Sequence, residues 1–160
     1  MPERFPTLTV WQPWATLIAA GAKPFEFRSW PAPARLIGKR IAIHAGMHRM
    51  SVRELKALCW KCERDHKDTG LRNQVALPIL EHLILAPSDA PLGSVLCIAT
   101  LGQPIRNREL AEALGLPHVN DSDRIEHSNW GWPLTDIEVL SPFIPARGFQ
   151  GFWTWTRADA

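Results

Sequence analysis

Fourteen prolines among 160 residues constrain this chain more than any other feature. Proline fixes φ, lacks an amide hydrogen, and is excluded from helix interiors and central strands. At about 9% it stands well above the ~5% of an average protein. Many connections and few long helices are expected. The length suits one domain over residues 1–160, long enough to bury a core without a metal or disulfide framework. With 46% hydrophobic and 21% charged residues, a largely disordered chain is excluded. Three cysteines form no disulfide framework and suit a reducing cytoplasm. The uncharged stretch 5–22 is not read as a signal peptide. Trp11-Gln12-Pro13-Trp14 interrupts it, and Met-Pro-Glu-Arg is not a basic leader. No apolar run is long enough for a membrane span.

Between the prolines, short periodic segments stand out. Leu8 and Val10 alternate with Thr7, Thr9 and Trp11, a strand pattern. Pro13 opens a short helix that Gly21 ends. Residues 24–30 and 40–45 read as strands, separated by a proline-containing loop over 31–38. Ser51 and Glu54 form a capping box that opens a helix of about 16 residues. A second helical pattern, broken near Pro78, runs to about Leu85. Ser94–Leu101 is strongly strand-like. Asn107 is expected to cap a short helix closed by Gly115, and 116–129 is a polar loop. Residues 132–140 and 152–156 alternate as strands. Strands at both ends with helices between them predict an α+β fold, arranged as a small closed barrel.

The net charge of +2 hides an asymmetry. Residues 1–80 hold 13 Lys and Arg against 6 Asp and Glu, whereas residues 81–160 hold 5 against 10. A basic face of this kind suggests nucleic acid. Eight tryptophans are more than a small core needs, and indoles make stacking platforms for bases. Tyrosine is absent, which removes every mechanism that needs a phenol. No phosphate-binding glycine loop, nucleophile elbow, H-E-x-x-H helix or zinc-deaminase signature is present.

Cys59-Trp-Lys-Cys62, with His66 and remotely His48, resembles a metal set, but helical spacing places both cysteines on an apolar face, where they pack as small hydrophobes. Asp121, Asp123, Glu126 and His127 lack cation-loop spacing and read as a solvated acidic loop. No metal or cofactor is expected. Lys23-Pro-Phe-Glu26-Phe-Arg28 is more informative. On a strand the phenylalanines face the core, while Glu26 and Arg28 share the other face, with Lys23 entering beside them and His44 reaching the same face from a neighbouring strand. An exposed surface ion pair is the competing reading of this segment.

The opening Leu8–Ile18, with Gly21, Lys23, Glu26 and Arg28, resembles the ASCH domain family of the PUA-like superfamily, whose hallmark is Gly-x-Lys-x-x-x-x-Arg. Gly38–Gly46, Leu92–Ala99, Trp130-Gly-Trp132 and Gly148-Phe-Gln-Gly151-Phe-Trp153 continue the likeness, with residues 50–90 as a less characteristic helical insertion. The resemblance implies a small β-barrel with helices around it and a basic cleft. Members of the family are proposed to bind RNA or nucleotides there; some hydrolyse N4-acylated cytidine and some are ribonucleases. Glu26 stands where the amidohydrolase members carry a threonine nucleophile, and no tyrosine is available for the ribonuclease arrangement.

The expectation is therefore a protein that binds single-stranded RNA or a nucleotide. Lys23 and Arg28 would meet phosphate. Trp11, Trp14, Trp30, Trp130 or Trp132 would stack on a base, and Gln12 or Glu26 would read its edge; Pro13 and His44 complete the expected surface. The alternative is a hydrolase of RNA phosphodiesters or N4-acylated nucleosides. There Glu26 would be the general base, Lys23 or Arg28 would stabilise the developing oxyanion or phosphorane, and His44 would be the general acid. A protein-interaction module is the third reading, with no partner identified.

Overall fold

The computed structural model describes residues 1–158. In chain order the strands are β1 (Glu3–Val10), β2 (Phe25–Arg28), β3 (Arg40–Ala45), β4 (Ser94–Leu101), β5 (Ile105–Arg106), β6 (Trp130–Pro145) and β7 (Phe152–Arg157). The helices are α1 (Trp14–Ala19), α2 (Val52–Glu63), α3 (Asn73–Leu85) and α4 (Asn107–Leu114). The strands form one mixed sheet ordered β2-β6-β4-β3-β1-β7, with β5 also on β6. Only β1 and β3 run parallel. No helix among the described residues is long and apolar enough to cross a membrane.

The sheet is not closed, so the expected barrel is corrected to an open α+β sheet whose edges are β2 and β7. Side chains join these margins where a barrel would use backbone ladders. Arg28 on β2 donates through Nη2 to the Thr9 carbonyl on β1 at 3.2 Å. Trp132 on β6 stacks on Phe152 of β7, with ring centres 6.0 Å apart and planes 7° from parallel.

Both faces of the central strands are covered. Ile41, Ile43, Leu96 and Leu101 pack with Leu8 and with Ile18 of α1 on one face, and Ala42, Val95, Ile98 and Trp155 gather on the other. Period-two alternation sends neighbouring residues to opposite sides, so strands buried on both faces read as continuous apolar runs. α2 and α3 bury Leu55, Cys59, Cys62, Ala76 and Leu80 between them. Burial pushes the Cys62 thiol up to about 11, so it packs here as a neutral side chain. α4 covers Phe27 through Ala111.

Three elements differ from the sequence reading. α3 continues through Pro78, because its buried Ala76, Leu80 and Leu83 outweigh the one backbone bond that proline removes. α2 ends at Glu63, a turn earlier than expected, and Asp65 follows in the left-handed region at φ 53°. β6 extends over 16 residues despite three prolines. Its pairing with β4 shifts register twice, and Asp136 at φ 50° lies within the first shift. Such bulges add unpaired residues and bend a strand without ending it.

Candidate functional site

The site begins where α1 stops. Gly21 turns the chain at φ +76°, and the amides of Ala22 and Lys23 both bond the Leu17 carbonyl, at 2.9 and 3.1 Å. Lys23 is thereby sent inward. β2 then pairs with β6 in the register Glu26↔Trp132 and Arg28↔Trp130. Glu26 and Arg28 share one face of the strand, and Phe27 packs on α4 behind the other. The Glu26 face is not a solvated one: both Glu26 and Trp132 are buried. This separates the segment from an exposed surface pair.

Four charges alternate along a line. The Lys23 ammonium contacts Asp121 Oδ2 and lies 3.5 Å from Glu26 Oε1. Glu26 Oε2 lies 3.1 Å from Arg28 Nη2, and Glu26 Oε1 accepts the Phe27 N–H at 3.2 Å. Burial favours the neutral form of Glu26, but the charges of Arg28 and Lys23 and two hydrogen bonds outweigh it, so this carboxyl titrates below its usual range. Asp121 has only the Lys23 cation beside it. Burial dominates there, the Glu26 charge adds to it, and the carboxyl is pushed up to about 6.

Above this row opens a cleft of about 610 Å³. Its walls come from the end of β1, from Glu26–Trp30, from the 120–128 loop and from Gly148–Gly151. Two indoles stand at its mouth, Trp11 at 41% exposed and Trp30 at 39%. Trp11 stacks on His48 at 3.8 Å, and the Arg124 guanidinium lies 4.9 Å from its ring. Trp30 meets Trp132 edge-on at 4.8 Å. Trp14 lines the cleft too, and its indole N–H donates to the Asp121 carbonyl at 3.0 Å.

Several expected residues lie elsewhere. Gln12 is buried and has both amide ends committed. Nε2 donates to the Pro91 carbonyl at 2.8 Å, and Oε1 accepts the Thr16 N–H at 2.9 Å. It fastens α1 rather than facing a ligand, and Pro13 is buried beside it. Trp130 is half-buried under the Arg106 guanidinium, 4.8 Å away, and is not a wall of the cleft. Lys23 sits beneath the floor, its charge already met by two carboxylates.

His44 borders the cleft but is buried. Its Nε2 bonds the Ala146 carbonyl at 2.7 Å, which requires the proton there. Thr9 Oγ1 accepts the Trp153 indole N–H at 3.1 Å and donates to His44 Nδ1 at 3.2 Å. Burial lowers the His44 pKa although the Ala146 bond pulls the other way, so the ring is neutral at neutral pH. Gly148 closes over it: a Cβ there would fall 2.5 Å from His44 Cε1.

The polar loop supplies what sequence reasoning missed. Asn107 does not cap α4. Its side chain instead pairs with Val119, donating to that carbonyl at 2.5 Å and accepting its N–H at 3.0 Å, and it also donates to the Ser128 carbonyl at 2.7 Å. The two ends of the loop are thus held together, and Asn120, Asp121 and Arg124 are placed on the cleft. Asn120 is 6% exposed, and neither atom of its amide finds a partner among the described residues. Its residue type and its place in a loop were the only signals in the sequence.

The family model of the ASCH domain matches residues 8–98. Among solved structures, a crystal structure of ASCH from Zymomonas mobilis is similar, with 18% identity, 88% of this chain and 72% of that chain covered, and a TM-score of 0.46. Comparison with curated proteins gives no match.

Proposed function

Because this chain belongs to the ASCH domain family, we propose that it binds single-stranded RNA, holding an unpaired nucleotide in the cleft between Trp11, Trp30 and the 120–128 loop. The observation that carries this reading is the pair of exposed indoles at the mouth, beside the Arg28 and Arg124 guanidiniums. Bases stack on aromatic faces whatever their sequence, and each stack contributes about 1–3 kcal/mol. A guanidinium matches phosphate oxygens bidentately. The volume lies within the usual ~300–1,000 Å³ of small-ligand sites. Lys23 serves this reading indirectly, by fixing the two floor carboxylates.

Titrating the protein with short single-stranded oligoribonucleotides while following tryptophan fluorescence tests the proposal. Quenching and an affinity that falls with salt are expected, both reduced in Trp11→Ala. Equal affinity for a matched duplex, or no change in fluorescence, would overturn it.

A hydrolase acting on RNA phosphodiesters or N4-acylated cytidine is the second reading, and the raised Asp121 carboxyl beside Lys23 is what favours it. A carboxylate poised near neutrality can take a proton from water. The neutral, doubly bonded His44 is poorly suited to the acid role. Mass spectrometry of RNA and N4-acetylcytidine incubated with wild type and with Asp121→Asn separates the readings, since products made by the wild type alone would establish the enzyme.

A further inference from the structure

Asn120 presents a problem that the rest of the fold does not resolve. Buried amides are nearly always hydrogen-bonded, because an unmet donor or acceptor keeps the cost of its desolvation. Here Nδ2 and Oδ1 both lack partners among the described residues, yet the backbone is fixed, with the Asn120 N–H bonded to the Asp68 carbonyl at 2.7 Å and Val119 held by Asn107. The residue lines the cleft. Both amide atoms are out of contact with solvent as placed. A ligand in the cleft would meet them after a turn of the carboxamide about its side-chain torsions, which no hydrogen bond among the described residues opposes.

An amide offers one acceptor beside one donor group, the complement of a base edge, and its pairing with adenine is a recurrent contact. By turning over, it would serve either an amine-bearing edge or a carbonyl–imide edge. The surroundings decide between them. Glu26 and Asp121 line the same cleft, and ionised carboxylates only accept. Their charges are met by Lys23 and Arg28, but Lys23 lies beneath the floor and Arg28 is turned to Thr9 and Glu26. What these carboxylates offer a base beside Asn120 is therefore acceptor oxygens, which a base carbonyl cannot satisfy. An exocyclic amine has two hydrogens, one for Asn120 Oδ1 and one for a carboxylate.

We infer that Asn120 is the base-reading residue of the cleft and that it selects an exocyclic amine beside an unprotonated ring nitrogen, as in adenine and cytosine, over the edge of uracil. This rests on the RNA-binding reading above. Sequence reasoning assigned edge recognition to Gln12 or Glu26; Gln12 is committed to the backbone, and Glu26 supplies the neighbouring acceptor.

The test is fluorescence anisotropy of labelled penta-adenylate, penta-cytidylate and penta-uridylate with the full chain, as wild type, Asn120→Ala and Asn120→Ser. Wild type should bind the first two about tenfold more tightly than the third, equivalent to about 1.4 kcal/mol. Either substitution should remove the preference, so that the three oligomers bind the variant with equal affinity through the base-independent indoles and guanidiniums. The melting temperature of Asn120→Ala should be no lower than that of wild type, because an unsatisfied amide has been removed; this separates lost recognition from lost folding. Should alanine not fold, the serine variant carries the same comparison. Equal wild-type affinity for all three oligomers, or an equal loss on all three, would overturn the Asn120 assignment while leaving RNA binding intact. No binding of any oligomer by wild type would overturn both.

Discussion

The ammonium of Lys23 rests on the carboxylate of Asp121, 98 positions further along the chain, and both groups are buried. Removing one partner from a buried ion pair leaves an uncompensated charge, at a cost of about 3–5 kcal/mol. Lys23→Ala is therefore expected to lower stability by about that amount in urea unfolding, and the double variant Lys23→Met with Asp121→Asn to recover a large part. A loss in the single variant of under about 1 kcal/mol, the size typical of surface pairs, would contradict the burial of this pair.

The same geometry assigns the salt dependence of the proposed RNA binding to other residues. Each phosphate neutralised on a single strand contributes about 0.7 to the slope of log affinity against log salt. Arg124→Ala is expected to reduce the slope by roughly one contact, as its guanidinium stands exposed beside Trp11. Lys23→Met paired with Asp121→Asn, which keeps the floor neutral overall, should leave the slope unchanged. A slope altered by the Lys23 change and not by Arg124→Ala would reverse the assignment.

Acid should act on two groups in opposite senses. The fold holds His44 neutral below its ordinary value of 6.5, so the unfolded chain takes that proton first. The stability it confers is whole above 6.5 and is lost as pH falls through the lowered value. Asp121 is raised from 3.8 to about 6, so the fold takes its proton first and gains relative stability as pH drops across that interval. Unfolding free energies from neutral pH down to about 5 should fall less steeply in His44→Gln than in wild type, and more steeply in Asp121→Asn. Superimposable pH profiles would count against both shifts.

Gly148 should tolerate no side chain. A Cβ there would lie 2.5 Å from His44 Cε1 and 2.9 Å from Thr9 Oγ1, both on groups already fixed by hydrogen bonds. Overpacking of this kind costs about 1–3 kcal/mol. Gly148→Ala is expected to be destabilised by that amount, and His44→Ala in the same chain to relieve part of it. Strict additivity of the two in a double-mutant cycle would show that they do not touch.

Local periodicity was enough to delimit β3 and β4, and alternation placed Glu26 and Arg28 on one face and Phe27 on the other. The ASCH motif led to the same segment. Long-range pairing was not legible. Nothing around Lys23 announces a partner in a loop 98 residues away, and nothing around Gln12 announces the Pro91 carbonyl that occupies it. Pro78 has a helix-breaking signature that only its buried neighbours overrule. Asn107 has the composition of a helix cap yet spends its amide on Val119 and Ser128. Closure of the sheet depended on whether two margins distant in sequence exchange backbone bonds, and local pattern carries no information on that.

The unclosed margins also leave one side of the cleft held by side chains alone. The walls of the cleft include Glu26–Arg28 on one edge strand and the Gly148–Gly151 segment that leads into the other. What spans the interval at the cleft is the Arg28 guanidinium; the stacked Trp132 and Phe152 rings lie outside its walls. Side chains repack by rotation about single bonds, far faster than a sheet unzips. The cleft can therefore adjust at this margin by a turn of the Arg28 side chain, with every strand pairing left intact.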